Sequence, residues 1–275
     1  MNNPKRTERH WNHRQASRWN KTHRMRIQQA PSFSVPSSGT LITPDGASVY
    51  YEMTGNGTPL VLLHGNGQKH QVFSQQVEYF KDHCCCILID TRGHGPSSLG
   101  PYVLTPELLA QDALMVLDYL KIPKALFLGF GDGGNTVLEL ALHFPQRILG
   151  FIVTSLNLPS ENLKPLIRTL NQAEDKIYSL LEKFHLPVKR RKTSQEASEP
   201  SWEIPPEELK TIHVPALVIA GDSDLMRKKY TQSVADSIPD AQLTVVNHAG
   251  HLGLFTHAAE YNFIIDHFLT KHHFQ

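Results

Sequence analysis

Long apolar runs and dispersed cysteines are both missing from this chain of 275 residues. No stretch approaches the roughly 18 consecutive apolar residues of a transmembrane helix, so we expect no membrane span. The three cysteines are adjacent, at Cys84, Cys85 and Cys86. Neighbours in a strand point to opposite faces, so these thiols cannot easily pair with one another. The sequence therefore predicts a soluble protein of a reducing compartment, the cytoplasm, without a disulfide framework.

Acidic residues are scarce in the first 30 residues, where eight basic residues stand against Glu8 alone, a net charge of +7. Because the whole chain carries +1, the remainder carries −6. A mildly acidic body argues against nucleic-acid binding by the folded part. Residues 1–36 also lack a sustained apolar period. We expect a basic, disordered extension there; a membrane-surface arm, an RNA-binding arm and a transit peptide are the alternatives.

Short apolar runs alternate with helical patterns from residue 37 onward, and 40% of the residues are apolar. Asp45-Gly46 predicts a hairpin turn between strands at 40–43 and 47–51. Continuous apolar runs predict strands buried on both faces, at 59–63, 84–90, 125–128, 148–154, 216–220 and 243–246. Helices are expected at 71–80, 105–121, 228–237 and 258–270, and one follows the glycines at 129–134 and ends at Pro145. Thr105-Pro106-Glu107 is expected to cap the helix at 105–121, with Pro106 in its first turn. This alternation predicts an α/β fold whose mostly parallel sheet is covered by helices on both faces.

Residues 156–210 interrupt the alternation. A helical pattern at 161–185 is followed by a polar stretch at 187–206 that is rich in Pro, Ser, Glu and Lys. We therefore expect a core built from 37–155 and 211–275, with 156–210 inserted as a small helical cap or lid.

A cluster of glycines follows the apolar run at 125–128, and a helical pattern comes after it. The glycines are Gly129, Gly131, Gly133 and Gly134. A sharp strand-to-helix bend of this kind presents a nucleophile at its tip and needs small residues two places on either side. Gly129 and Gly133 are that small pair, so the tip is Gly131, which has no side chain to attack with.

Two other interpretations of the glycines stay open. Asp132 at the tip would make a carboxylate the nucleophile, but that register requires a small residue at 130, where Phe130 stands. A G-x-G-x-G run after a strand is also typical of dinucleotide binding, but this run comes late in the chain.

Five motifs occur in an order and at spacings that resemble the α/β-hydrolase superfamily from about residue 40 to 268. They are His64-Gly65-Asn66-Gly67, Asp90-Thr-Arg-Gly-His-Gly-Pro-Ser97, Gly129-Phe-Gly-Asp-Gly-Gly134, Gly221-Asp-Ser-Asp224 and Asn247-His-Ala-Gly-His251. The nearest resemblance is to the small-cap, esterase-like group related to valacyclovir hydrolases. Their bend reads Gly-Trp-Ser-Asp-Gly-Gly, so here Phe130 replaces the Trp and Gly131 replaces the Ser nucleophile.

The resemblance implies a role for each matched residue. His251 corresponds to the general base and Asp224 to the acid that orients it, with Asp222 the less suitable candidate. Backbone N–H groups of Asn66 and Asp132 correspond to the oxyanion hole.

The substrate-binding positions that the resemblance implies are His64, Gly65, Phe130 and Asp132, and Asp132 would face a substrate amine. It implies no cofactor. We expect no metal either, because the His248-x-x-His251 pair has no Cys or carboxylate ligand beside it in the motif.

Loss of the serine from a triad costs on the order of a millionfold in turnover. We therefore expect a protein of carboxylester or amide hydrolase ancestry with weak or absent hydrolysis and a small ester-like or acyl ligand. The alternatives are a non-catalytic binding or sensor module, and an ordinary serine esterase in which Gly131 replaces a native Ser. The sequence leaves the oligomeric state open.

Overall fold

The computed structural model describes residues 9–11, 37–156, 204–224 and 228–274. Within them, nine strands form one sheet, in the order β1-β9-β8-β7-β6-β4-β5-β3-β2. The strands are β1 (Arg9–Trp11), β2 (Ser38–Ile42), β3 (Ser48–Thr54), β4 (Thr58–Leu63), β5 (Cys84–Asp90), β6 (Ala125–Phe130), β7 (Ile148–Thr154), β8 (Ala216–Gly221) and β9 (Ala241–Val246). Only β2–β3 and β3–β5 pair antiparallel. The predicted α/β class with a mostly parallel sheet is confirmed.

Seven α-helices follow these strands in the described residues. They are α1 (Ser74–Phe80), α2 (Pro106–Tyr119), α3 (Asp132–His143), α4 (Pro206–Leu209), α5 (Lys228–Ser237), α6 (Gly253–Thr256) and α7 (Ala258–Lys271), with 3₁₀ turns at His70–Phe73 and Pro145–Arg147. Helix α2 begins where its cap predicts, because the Thr105 side chain accepts the Leu108 N–H at 3.1 Å and Pro106 opens the first turn.

The sheet is covered on both faces. Its central strands are apolar throughout, and successive side chains enter two separate clusters. Cys85 packs with α2, α3 and α5, whereas Cys84 and Cys86 pack with α1 and α7 on the other face. All three thiols are buried and unpaired, and burial raises the pKa of Cys86 to about 12. They are structural, unreactive core residues.

One predicted helix differs in the structure. The pattern at 71–80 predicted a single helix, but residues 70–73 form a 3₁₀ turn before α1 begins. The Asp90 carboxylate accepts both the backbone N–H of His70, at 2.6 Å, and its Nδ1–H, at 2.8 Å. This buried anchor at the end of β5 fixes the start of the segment, and the sequence pattern carries no trace of it.

The predicted extension and cap fall mostly on residues that the structure does not describe. Within 1–36, Arg9–Trp11 pairs parallel with β9 as an edge strand; the expected disorder of the extension stays a prediction. The helix expected at 161–185 lies outside the described residues. Near the end of the predicted cap, Leu209 of α4 is buried in the same apolar cluster as Val234 of α5. Among the described helices, none has both the length and the apolar character that crossing a membrane requires.

Candidate active site

The bend between β6 and α3 has Gly131 at its tip, with φ 56° and ψ −120°. The Gly131 N–H donates to the Thr154 carbonyl at 3.1 Å, and its own carbonyl accepts the Gly134 N–H at 2.9 Å. L-residues rarely adopt this backbone conformation, whereas glycine enters it without a Cβ clash. The bend that the glycine spacing predicts therefore exists, and residue 131 stands at its tip.

Three glycines of the bend differ sharply in the space around them. A Cβ on Gly133 would lie 2.0 Å from the Leu63 carbonyl oxygen, and one on Gly129 would lie 2.4 Å from the Gly133 carbonyl oxygen. Among the described residues, a Cβ on Gly131 would meet only Gly65 Cα at 3.4 Å and the Ser155 carbonyl oxygen at 3.9 Å. Both flanking positions must be glycine, while the described residues around the tip leave room for a side chain.

The alternative register, with Asp132 at the tip, does not match this geometry. Asp132 is the first residue of α3. Phe130, which that register would need to be small, is only 3% exposed, and its ring lies 4.8 Å from that of Phe255. The large side chain at 130 thus fills a core position beside the bend.

His251 and Asp224 lie side by side at the carboxyl ends of the strands. The His251 Nδ1 is 2.9 Å from the Asp224 Oδ1, and Asp224 is buried. Asp222 is exposed and accepts the Ser223 hydroxyl instead. The Phe130 ring lies 5.5 Å from the His251 ring, which places the imidazole next to the bend. When Nδ1–H of the neutral imidazole donates to this carboxylate, Nε2 carries the lone pair that can accept a proton.

Ser155 is a site residue that the sequence analysis missed. Its Oγ lies 2.9 Å from Asp224 Oδ2 and 2.7 Å from the His251 carbonyl oxygen. It is buried and has a φ of 49°, a left-handed conformation that serine seldom adopts. Its place directly after β7, at the edge of the sheet where ligands bind, was the available signal. The contact to Asp224 spans 69 residues of sequence and has no local pattern.

The loop after β4 passes close to the bend, with Gly65 Cα near the Gly131 tip. The Gly65 N–H donates to Gln68 Oε1 at 3.0 Å, which holds the loop. Asn66 is half-buried, and among the described residues its backbone N–H has no hydrogen-bond acceptor. Asp132 starts α3, where the helix dipole favours negative charge. The two expected oxyanion donors therefore belong to adjoining segments.

His64 is buried, and both of its ring nitrogens are engaged. The Thr91 N–H donates to Nε2 at 3.1 Å, so Nδ1 carries the proton and donates to the Gly65 carbonyl at 2.8 Å. Burial lowers the pKa of His64 to about 4, which keeps the ring neutral. The His64 ring thus stabilises the loop. Its expected contact with a ligand stays a prediction, and a hydrogen bond from the ring to a ligand would have to replace one of these two bonds.

Arg92 forms a second brace at the end of β5. Its guanidinium, buried with 2% exposure, bonds Asp112 of α2 through Nε at 2.7 Å and a second nitrogen at 2.9 Å, and it also pairs with Asp45. The hydrogen bond from Arg92 lowers the pKa of Asp45 to about 2, whereas burial raises the pKa of Asp112. This network ties the β2–β3 hairpin to α2.

In the part of the chain that the structure describes, no three His, Cys, Asp or Glu side chains are arranged to hold a metal ion. His248, the other member of the His-x-x-His pair, is exposed and has a φ of 60°.

Known proteins are similar to this chain in sequence and in architecture. Residues 58–200, just over half of the chain, match the family model described as the alpha/beta hydrolase fold. The chain is 37% identical over 118 residues to 3-oxoadipate enol-lactonase 2 of Acinetobacter baylyi, covering 42% of this chain and 43% of that protein. It is 31% identical over 160 residues to the pimeloyl-[acyl-carrier protein] methyl ester esterase of Vibrio parahaemolyticus, covering 56% and 59%.

The chain thus spans less than two thirds of the length of these curated relatives. Among solved structures, the N-acyl homoserine lactone degrading enzyme Est816 superposes with a TM-score of 0.71 at 28% identity, covering 82% of this chain and 99% of that one. The family match and the shared architecture agree with the motifs, and the chain belongs to the α/β-hydrolase fold family.

Proposed function

We propose that this chain binds a small ester- or lactone-like molecule at the bend and hydrolyses it slowly, through a water molecule rather than a protein nucleophile. The observation that carries the proposal is Gly131 at the tip of an otherwise complete bend, beside the bonded pair of His251 and Asp224. The esterase and lactonase names of the relatives support the substrate class.

The reaction needs only groups that the chain supplies. A water in the space beside Gly131 gives its proton to His251 Nε2 while its oxygen attacks the carbonyl carbon. The N–H groups of Asn66 and Asp132 stabilise the resulting oxyanion. The bond to the leaving oxygen then breaks, and His251 returns the proton to it, so ester and water become acid and alcohol. Asp224 keeps the imidazole in the required tautomer.

The expected rate is low. In a triad hydrolase that has lost its catalytic residues, an oxyanion hole and substrate binding retain about 10³ to 10⁴ over the uncatalysed reaction. An unattached water also lacks the positional advantage of a side-chain oxygen. A binding or sensor module without turnover is the second candidate, and the same glycine favours it.

A panel of activated esters and lactones separates the two. The full chain is compared with His251→Gln and with His248→Gln, a matched control at an exposed histidine three residues away. Slow turnover that His251→Gln abolishes and His248→Gln preserves supports hydrolysis. A ligand that raises the melting temperature without any turnover supports the binding module. Turnover that survives His251→Gln contradicts the proposed mechanism.

A further inference from the structure

Ser155 connects three parts of the candidate site that are far apart in sequence. Its backbone borders the Gly131 tip, since a Cβ there would lie 3.9 Å from the Ser155 carbonyl oxygen. Its hydroxyl reaches Asp224, on the loop after β8, and the main chain of His251, on the loop after β9. One small side chain therefore touches both partners of the imidazole–carboxylate pair.

The hydroxyl carries a single hydrogen but has two acceptors, Asp224 Oδ2 at 2.9 Å and the His251 carbonyl at 2.7 Å. It donates to one of them at a time. A bond to the ionised carboxylate is the stronger choice, because a charged acceptor strengthens a hydrogen bond. With Oδ2 held by Ser155, Oδ1 is left facing His251 Nδ1, 2.9 Å away.

The backbone of Ser155 gives an independent observation. Its φ of 49° costs conformational energy for any residue with a Cβ, and the side chain is buried rather than placed at a surface turn. Glycine would relieve the strain but would remove the hydroxyl. A serine in this conformation is explained if the hydroxyl has a task that glycine cannot perform.

We propose that Ser155 is a positioning residue whose hydroxyl holds the Asp224 carboxylate at the end of β7, next to the His251 main chain. This keeps Nδ1 of His251 bonded to Asp224 and Nε2 directed at the reacting water. The inference rests on the proposed function, in which His251 is the base.

The first experiment needs no catalytic activity. The Nδ1–H proton of His251, bonded to a carboxylate, gives a downfield resonance by NMR that is assigned by its loss in His251→Gln. In the full chain, we expect Ser155→Ala and Ser155→Gly to speed its exchange with water by about tenfold or more, because both variants lose a hydrogen bond to a charged carboxylate. Lys121→Gly is the matched control, because it relieves a comparable φ of 57° away from the site. It should leave the resonance unchanged.

The two Ser155 variants separate the hydroxyl from the strain. Ser155→Gly should melt at a higher temperature than Ser155→Ala, because only glycine relaxes at this φ. Both should lose the slow-exchanging proton. If Ser155→Gly keeps that resonance with unchanged exchange, Ser155 is merely structural and the inference is overturned.

A second arm uses the Gly131→Ser background, where Ser155→Ala should lower kcat about tenfold or more with KM nearly unchanged, because Asp224 loses a charge-assisted hydrogen bond. An unchanged kcat in an active background overturns the inference. If Gly131→Ser has no activity at all, the proposed function fails, and the NMR experiment on the unsubstituted chain still decides the role of Ser155.

Discussion

Replacing glycines of the bend one at a time by alanine tests the elbow geometry through stability alone. In Gly133→Ala the new Cβ would lie 2.0 Å from the Leu63 carbonyl oxygen and 2.8 Å from that of His64. Both contacts are to backbone, so the strand and helix must separate. Overpacking a core costs about 1–3 kcal/mol and occasionally more, and we expect at least about 3 kcal/mol here because no side chain can yield.

Gly131→Ala meets no atom of the described residues closer than 3.4 Å, so it should cost only the strain of a Cβ at φ 56°, about 1–2 kcal/mol. Gly250→Ala is the matched control in the neighbouring loop, with its nearest atom 4.0 Å away, and should change stability by about 0.5 kcal/mol or less. Urea unfolding followed by circular dichroism gives all three values. A cost for Gly131→Ala that equals or exceeds that of Gly133→Ala would refute the placement of the tip.

Three further predictions concern residues around the bend. Arg92→Met should lower the unfolding free energy by about 3–5 kcal/mol, because two carboxylates lose their buried cation. The matched control Lys210→Met breaks an exposed pair with Glu207 and should cost under about 1 kcal/mol in the same urea assay. In the unfolded chain His64 takes up a proton near its ordinary pKa, whereas in the folded chain burial lowers that pKa to about 4. The unfolding free energy should therefore fall by roughly 3 kcal/mol between pH 6.5 and 4 because of this group. A series of unfolding curves at different pH values should show this fall in the parent chain, and His64→Gln should lack the His64 contribution to it. Incubation with an epoxide should leave the intact mass of both the parent chain and His251→Gln unchanged, because Asp132 is the first residue of α3 and does not stand at the tip of the bend. An ester adduct mapped to Asp132 would contradict the placement of Gly131 at the tip.

The strands and the bend were predictable because their signals are local. Continuous apolar runs gave β5 and β7 with the bounds that the structure has. The glycines at 129 and 133 gave the tip, since close backbone approach leaves glycine as the only residue that fits. Thr105 and Pro106 gave the start of α2, because a cap acts on the next three residues.

The parts that escaped prediction depend on contacts across the fold. Asp90 anchors His70 from 20 residues away and turns the start of a predicted helix into a 3₁₀ segment. Ser155 reaches Asp224 and His251 across 69 and 96 residues, and its positive φ has no sequence signature for a serine. The position of His64 matched a family motif, but only the structure shows its ring buried and bonded at both nitrogens.

The most direct test of the central claim is to supply the missing oxygen with Gly131→Ser. Among the described residues nothing blocks a side chain at the tip, and the His251–Asp224 pair lies next to the bend. We expect p-nitrophenyl acetate hydrolysis to rise at least about a hundredfold over the parent, short of the roughly millionfold span of a complete triad. A fluorophosphonate should label the new serine, and adding His251→Ala should abolish both effects. A folded Gly131→Ser protein that neither hydrolyses the ester nor takes the label would contradict the account and favour a binding module.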